Sequence, residues 1–173
     1  NFQFNGTFPI GEHRLRISVD DECSSEVVSF INFQVVDCNA AGLVCNNAIS
    51  LSLMQQPDGV DADGDGDFDL GALAVNVNLF VNATGTDCSG PLRFTLHRAG
   101  DIIDGSDIPF PNHPALVVTC DDIGFIPVVV YVWDSAFNPN ALQPDGTLGG
   151  PNYTTCDAFL QVLDTNNVCN PAP

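Results

Sequence analysis

"DIGFIPVVVYVWD", residues 122–134, is the stretch whose reading decides the fold. Its centre is a run of β-branched and aromatic side chains, which suit a pleated surface and lose rotamer freedom in a helix. It therefore reads as one long strand ending at an Asp-Ser turn. Pro127 has no N–H to offer a neighbouring strand, so it is expected at a bulge or an edge. Similar runs flank it: "HRLRISV" (13–19), "VSFINFQVV" (28–36), "AISLSLM" (48–54), "LAVNVNLFV" (73–81), "LRFTLHR" (92–98), "ALVVTC" (115–120) and "DAFLQVL" (157–163). Several alternate apolar and polar residues, and clusters of Gly, Pro, Asn and Asp separate them. Many short strands punctuated by turns predict an all-β chain of immunoglobulin-like β-sandwich modules in tandem.

The same stretch has an earlier counterpart. "PIGEHRLRISVDD" (9–21) parallels it with one residue fewer between its glycine and the aspartate after the strand, and "FQVVD" (33–37) parallels "LQVLD" (160–164). Each copy is followed by a cysteine and an asparagine, "LVCNN" at Cys45 and "NVCNP" at Cys169. This repetition divides the chain into four parts: residues 1–38 as the last strands of a preceding module, 39–44 as a linker, 45–165 as a complete module, and 166–173 as a linker and the start of another. The chain is expected to be a window from a tandem array. Its first 38 residues supply about three strands, too few to bury a sandwich core.

The cysteines bear on this division. The copies align Thr7 with Cys120 and Ser29 with Cys156, so both cysteines are absent together from the first copy. That predicts a Cys120–Cys156 bridge and, by elimination, a Cys45–Cys88 bridge. Cys169 is assigned to the next module. Cys23 and Cys38 would lie at opposite ends of the last strand of the first copy, and their partners stay open.

Composition narrows the function. Four Lys+Arg against 22 Asp+Glu give a formal charge of −18, and every cation is an arginine. Such a surface repels nucleic acid and anionic lipid and favours cations. Seven widely spaced cysteines without a CxxC read as disulfides, which implies an oxidising compartment, extracellular or at the cell surface. No apolar run reaches the roughly 18 residues that a spanning helix needs, so no direct membrane insertion is expected.

"LVCNNAISLSL", "TDCSG", "VVTCDDIGFIPVVVYVWDSAFNPN" and "TTCDAFLQVLDTNNVC" together resemble the hyalin-repeat (HYR)-like, immunoglobulin-like modules of large bacterial surface proteins secreted by the type IX system. The resemblance covers most of 45–169 and the strands at 8–37. It implies a repeated stalk or adhesin unit without catalysis, whose partners are neighbouring copies or modules. This chain departs from the pattern in an Asp-rich expansion of the first hairpin and in a long insertion, "PNALQPDGTLGGPNY", in the last.

That first expansion, "VDADGDGDFDL" (60–70), sets five aspartates at every second position. Neighbouring carboxylates so placed repel by about 0.8 kcal/mol per pair in water. A cation relieves this: Asp61, Asp63 and Asp65 occupy positions 1, 3 and 5 of a D-x-D-x-D-G calcium loop, with Gly66 at the sharp turn. Asp67 would add its backbone carbonyl and Asp69 an acidic ligand. Ala72 stands where an EF-hand needs glutamate, so the loop resembles instead the calcium hairpins of integrin-type β-propellers. An all-oxygen donor set selects Ca²⁺ over Zn²⁺.

Other residues carry weaker signals. Asp121 and Asp122, with Asp101, Asp104 and Asp107, read as turn formers or a second cation site. His13, His97 and His113 lack ligand or triad spacing. Ser135 lies in a "DSA" that resembles a bacterial O-glycosylation motif, while Asn5, Asn82 and Asn152 head N-x-T sequons. Tyr131 and Trp133 are expected in the sandwich core.

No nucleophile, base or cofactor signature emerges, so the leading expectation is a non-catalytic structural repeat of a stalk, adhesin or fibre. Two alternatives are a self-assembling filament or sheath subunit with strand complementation between chains, and a calcium-dependent module binding surface glycans.

Overall fold

The computed structural model describes residues 3, 5–20, 23, 25–85, 87, 89–101, 103 and 113–170. Thirteen strands are assigned among them, and the only helical segments are two short 3-10 turns, at Val77–Leu79 and Cys120–Asp122. The protein is thus mostly β, with sheets that are antiparallel apart from one pair. No helix among the described residues is long and apolar enough to cross a membrane.

The opening stretch forms β10 (Gly124–Trp133), the centre of the larger sheet. It pairs antiparallel with β13 (Tyr153–Leu163) on one side and with β8 (Arg93–Arg98) on the other, and β4 (Ala48–Ser52) lies parallel along the far edge of β13. Pro127 is tolerated because pairing with β8 begins only at Val128, so its missing N–H breaks no ladder bond there; its carbonyl accepts from Ala99 N.

Strands β5 (Met54–Gln55), β6 (Gly71–Asn76) and β9 (Ala115–Thr119) form a second sheet, and β3 (Leu43–Cys45) pairs with β7 (Val81–Thr84). Alternation along β10 turns Val128, Val130 and Val132 to one side, all buried. There Val128 and Val130 meet Leu96, Ala158, Leu160 and Val162 from their own sheet and Val75 and Val118 from the other, with Leu53, Val77 and Phe80 filling between. This is the packing of a β-sandwich core.

The run "LAVNVNLFV" does not continue as one strand. It breaks after Asn76, whose side chain accepts from Asn78 N and caps the first 3-10 turn, so β6 and β7 serve different sheets. The long insertion in the last hairpin forms a small hairpin of its own, β11 (Asn138–Leu142) and β12 (Leu148–Gly150).

Two disulfides join the layers, with pairings that differ from those expected. Cys45 is bonded to Cys156, and Cys120 to Cys169. Cys156 sits in mid-strand opposite Val130, facing β3, whereas Cys120 follows β9 in the other sheet. The joint absence of both cysteines from the first copy therefore does not mark a bridge shared between them. Cys169 belongs to this module: Asp164 accepts from Val168 N and Cys169 N and folds the segment back onto Cys120. Val168 packs so closely on Gly71 that a Cβ there would lie 2.5 Å from its Cγ2. Cys88 lies outside the described residues. Cys23 and Cys38 are both exposed and are separated by β2, which at about 3.4 Å per residue keeps them roughly 30 Å apart.

The first copy folds as a hairpin, β1 (Gly11–Val19) against β2 (Val27–Val35), and among the described residues joins no other strand. On its polar face Arg16 pairs with Glu26 at 2.9 Å and Arg14 lies over the Phe30 ring.

Tyr131 and Trp133 face away from the sandwich core. Strand alternation places them on the opposite side of β10 from Val130 and Val132, where they stack with each other and on Tyr153. Trp133 is still completely buried, and its indole N–H donates to Thr95 Oγ1.

Candidate functional site

The aspartate loop grows out of the β5–β6 pair. Met54 and Gln55 pair with Ala72 and Gly71, and the ladder extends through Gln56 N to Leu70 O and Asp69 N to Val60 O. Residues 61–67 form the tip, whose carboxylates accept the loop's own N–H groups. Asp61 takes Gly64 N at 2.7 Å and Gly66 N at 2.9 Å on its two oxygens, Asp63 takes Asp65 N, and Asp65 takes Asp67 N at 2.8 Å. Gly64 and Gly66 have φ of 85° and 100°, so the turn requires glycine at both.

The result brings Asp61, Asp63 and Asp65 together, with carboxylate oxygens within 4.8 Å of one another and all three residues exposed. Asp69 holds the base of the loop: its Oδ2 accepts Ala62 N at 2.8 Å. Crowding out of solvent pushes the Asp63 carboxyl above its ordinary pKa; the Asp65 N–H counters this, and repulsion from Asp65, Asp69 and Asp61 adds to it. Repulsion of that sign is what a bound cation removes.

The remaining acids have other work. Asp122 forms a two-pronged ion pair with Arg98, with Nη2 to Oδ2 at 2.8 Å, and also accepts Thr119 N. Burial pushes the Asp122 carboxyl up, but the Arg98 guanidinium and the Thr119 N–H outweigh it and leave it below the usual range. The same carboxylate raises Arg98. Asp101 accepts Arg98 N in the turn after β8. These contacts make Asp101 and Asp122 structural; Asp104 and Asp107 lie outside the described residues.

His13 packs between Phe8 and Phe33 and bonds to Pro9 O. His97 and His113, distant in sequence, come together with ring centroids 5.3 Å apart, and His97 meets the edge of Tyr131.

Among the glycosylation positions, Asn5 and Asn82 are exposed, and Ser135 is exposed with its hydroxyl donating to Pro91 O. Asn152 is buried, which takes its sequon out of reach in the folded chain. Its Nδ2 donates to Asp134 Oδ2 at 2.6 Å and to Asp37 O at 3.0 Å, while its backbone N–H donates to Asp134 Oδ1. Asn138 Nδ2 in turn donates to Asn152 Oδ1.

This network belongs to a second acidic group that sequence reading missed. Asp37, Asp87 and Asp134 place carboxylate oxygens within 4.8 Å of one another where the 37–39 segment meets the module. No local pattern could have found it, because the three residues come from separate connections. Desolvation raises the Asp134 pKa against the hydrogen bonds from Asn152, with Asp87 and Asp37 adding repulsion.

Comparison with known protein families, with curated proteins and with solved structures finds no match.

Proposed function

We propose that this chain is a non-catalytic structural repeat of an extracellular surface protein, stiffened by disulfides and by calcium held at Asp61, Asp63 and Asp65. One observation carries the repeat reading. The two parallel sequence stretches fold into hairpins of the same register, Gly11↔Val35 and Gly124↔Val162, and the two glycines have φ of 135° and 133°. Two bridges across the layers suit an oxidising exterior and a module that must stay folded without a large core.

Calcium fits the loop because the donors are all carboxylate oxygens, converged and exposed, on a backbone already turned for them. The ion would neutralise the tip and hold the β5–β6 connection rigid. Its test is thermal unfolding of the chain in calcium and in EDTA, with calorimetric titration of the ion. A ligand bound only by the folded state at 100 times its Kd stabilises by about 2.7 kcal/mol. The wild-type chain should show a calcium-dependent rise in Tm that Asp61→Asn and Asp63→Asn each abolish. An unchanged Tm with no heat of binding at millimolar calcium refutes the stiffening role.

A further inference from the structure

The two bridges leave Cys23, Cys38 and Cys88 of the cysteines in the sequence. β2 holds Cys23 away from Cys38. The residues on either side of Cys38 and Cys88, by contrast, are drawn to one place. β3 and β7 pair at Leu43↔Thr84, and Gly85 N donates to Gly42 O at 2.8 Å, so the two segments leave this ladder side by side. They are together again further out, where the carboxylates of Asp37 and Asp87 come within 4.8 Å of each other. Asn152 Nδ2 donates to the carbonyls of Asp37 and Asn39, at 3.0 and 3.5 Å, and so grips both neighbours of Cys38. On the other segment, Asp87 meets Asp134 and Pro91 O accepts the Ser135 hydroxyl. Both segments are thus pinned around Asp134 and Ser135.

Each cysteine directly follows one of the converging aspartates, and consecutive Cα atoms are about 3.8 Å apart. A disulfide asks for Cα atoms roughly 4.4–6.8 Å apart, a span that two adjoining segments meet. We propose that Cys38 and Cys88 form a third disulfide, which locks the acidic junction. The proposal rests on the oxidising exterior inferred above. Each thiol loses a proton, and the pair gives up two electrons as the S–S bond forms. The oxidant is a small-molecule or protein disulfide, whose own S–S bond opens to two thiols. Cys38 is exposed and within reach of such a reagent. The bond ties the segment that leaves β2 to the connection between β7 and β8. It holds Asp37, Asp87 and Asp134 together against their mutual repulsion, a task that otherwise falls to the hydrogen bonds of Asn152.

The test uses the intact chain, folded in a glutathione buffer of extracellular redox poise. It is alkylated in denaturant without reductant, digested with pepsin and mapped by mass spectrometry. A linked pair of peptides carrying Cys38 and Cys88 is expected. In the folded chain, Cys88→Ser should speed thiol labelling of Cys38 at least tenfold. Alkylated Cys38 and Cys88 beside intact Cys45–Cys156 and Cys120–Cys169 bridges overturn this proposal alone. Alkylation of all the cysteines overturns it together with the oxidising-exterior reading. A link from either residue to Cys23, or labelling of Cys38 that is equally fast in the wild-type chain, also overturns it.

Discussion

Replacing both Cys120 and Cys169 by serine tests the least expected feature of the fold. The bridge joins residues 49 apart, and on the chain-entropy account its loss costs up to about 4 kcal/mol. The native geometry has independent support, since Asp164 still accepts the Val168 and Cys169 N–H groups and Val168 still fills the space over Gly71. The loss therefore falls mainly on the denatured chain, which gains freedom. For a chain of this size about 4 kcal/mol corresponds to a fall in Tm of roughly 8–16 °C. Urea unfolding followed by Trp133, the only tryptophan and a fully buried one, reads it directly. The corresponding Cys45→Ser, Cys156→Ser variant opens a bridge between residues 111 apart, which on loop length alone costs only about 0.7 kcal/mol more. Any larger difference measures the packing of those sulfurs against the core. A loss below about 1 kcal/mol for the first pair, or a peptide map linking Cys120 to Cys156, refutes this account.

The acidic junction should make stability depend on pH. Asp134 has a raised pKa in the fold, so the folded chain holds its proton longer than the unfolded chain. Stability then falls as pH rises from the ordinary carboxylate pKa, about 3.9, to the raised one. An Asp37→Asn, Asp87→Asn double variant should flatten that slope and raise Tm at neutral pH; an unchanged slope counts against the arrangement. Asp122 has the opposite sign, and its stabilisation, present above the ordinary carboxylate pKa, is lost as pH falls through its lowered value, so Asp122→Asn should remove that acid-side loss. Asn152→Ala keeps the backbone N–H bond to Asp134 Oδ1 but strips Asp134 of the Nδ2 donor and releases the Asp37 carbonyl, which should cost about 2–3 kcal/mol in urea unfolding. Wild-type stability in that variant would show that the network does not hold the 37–39 segment to the module.

What could be read in advance was what neighbouring residues decide. The run of β-branched residues at 126–133 announces β10, and the Gly-flanked aspartates announce a loop whose carboxylates turn back on their own N–H groups. The pairing of cysteines was not legible, because it depends on which strands share a layer. Cys156 lies in β13, which hairpin logic ties to β10, but its partner on β3 is reached only once two sheets face each other. The Asp37, Asp87 and Asp134 group was hidden for the same reason, and so was the meeting of His97 with His113. The buried Asn152 shows the reverse error, in which a three-residue pattern is present but tertiary contacts have taken its side chain.

The two hairpins separate local from tertiary causes within one molecule. Both adopt the same register and the same glycine conformation, although β1 carries Arg14 and Arg16 where β10 carries Pro127 and Val129. Register therefore survives a change in the outward face, which argues that the inward apolar alternation and the glycine at the open end of each hairpin set it. Burial does not follow from that pattern. Ala158 and Leu160 are buried because β3, β6 and β9 cover them, while the same apolar face of β1–β2 remains half exposed. A side chain as large as Phe33, held where Leu160 sits in the complete module, packs instead against the rings of Phe8 and His13.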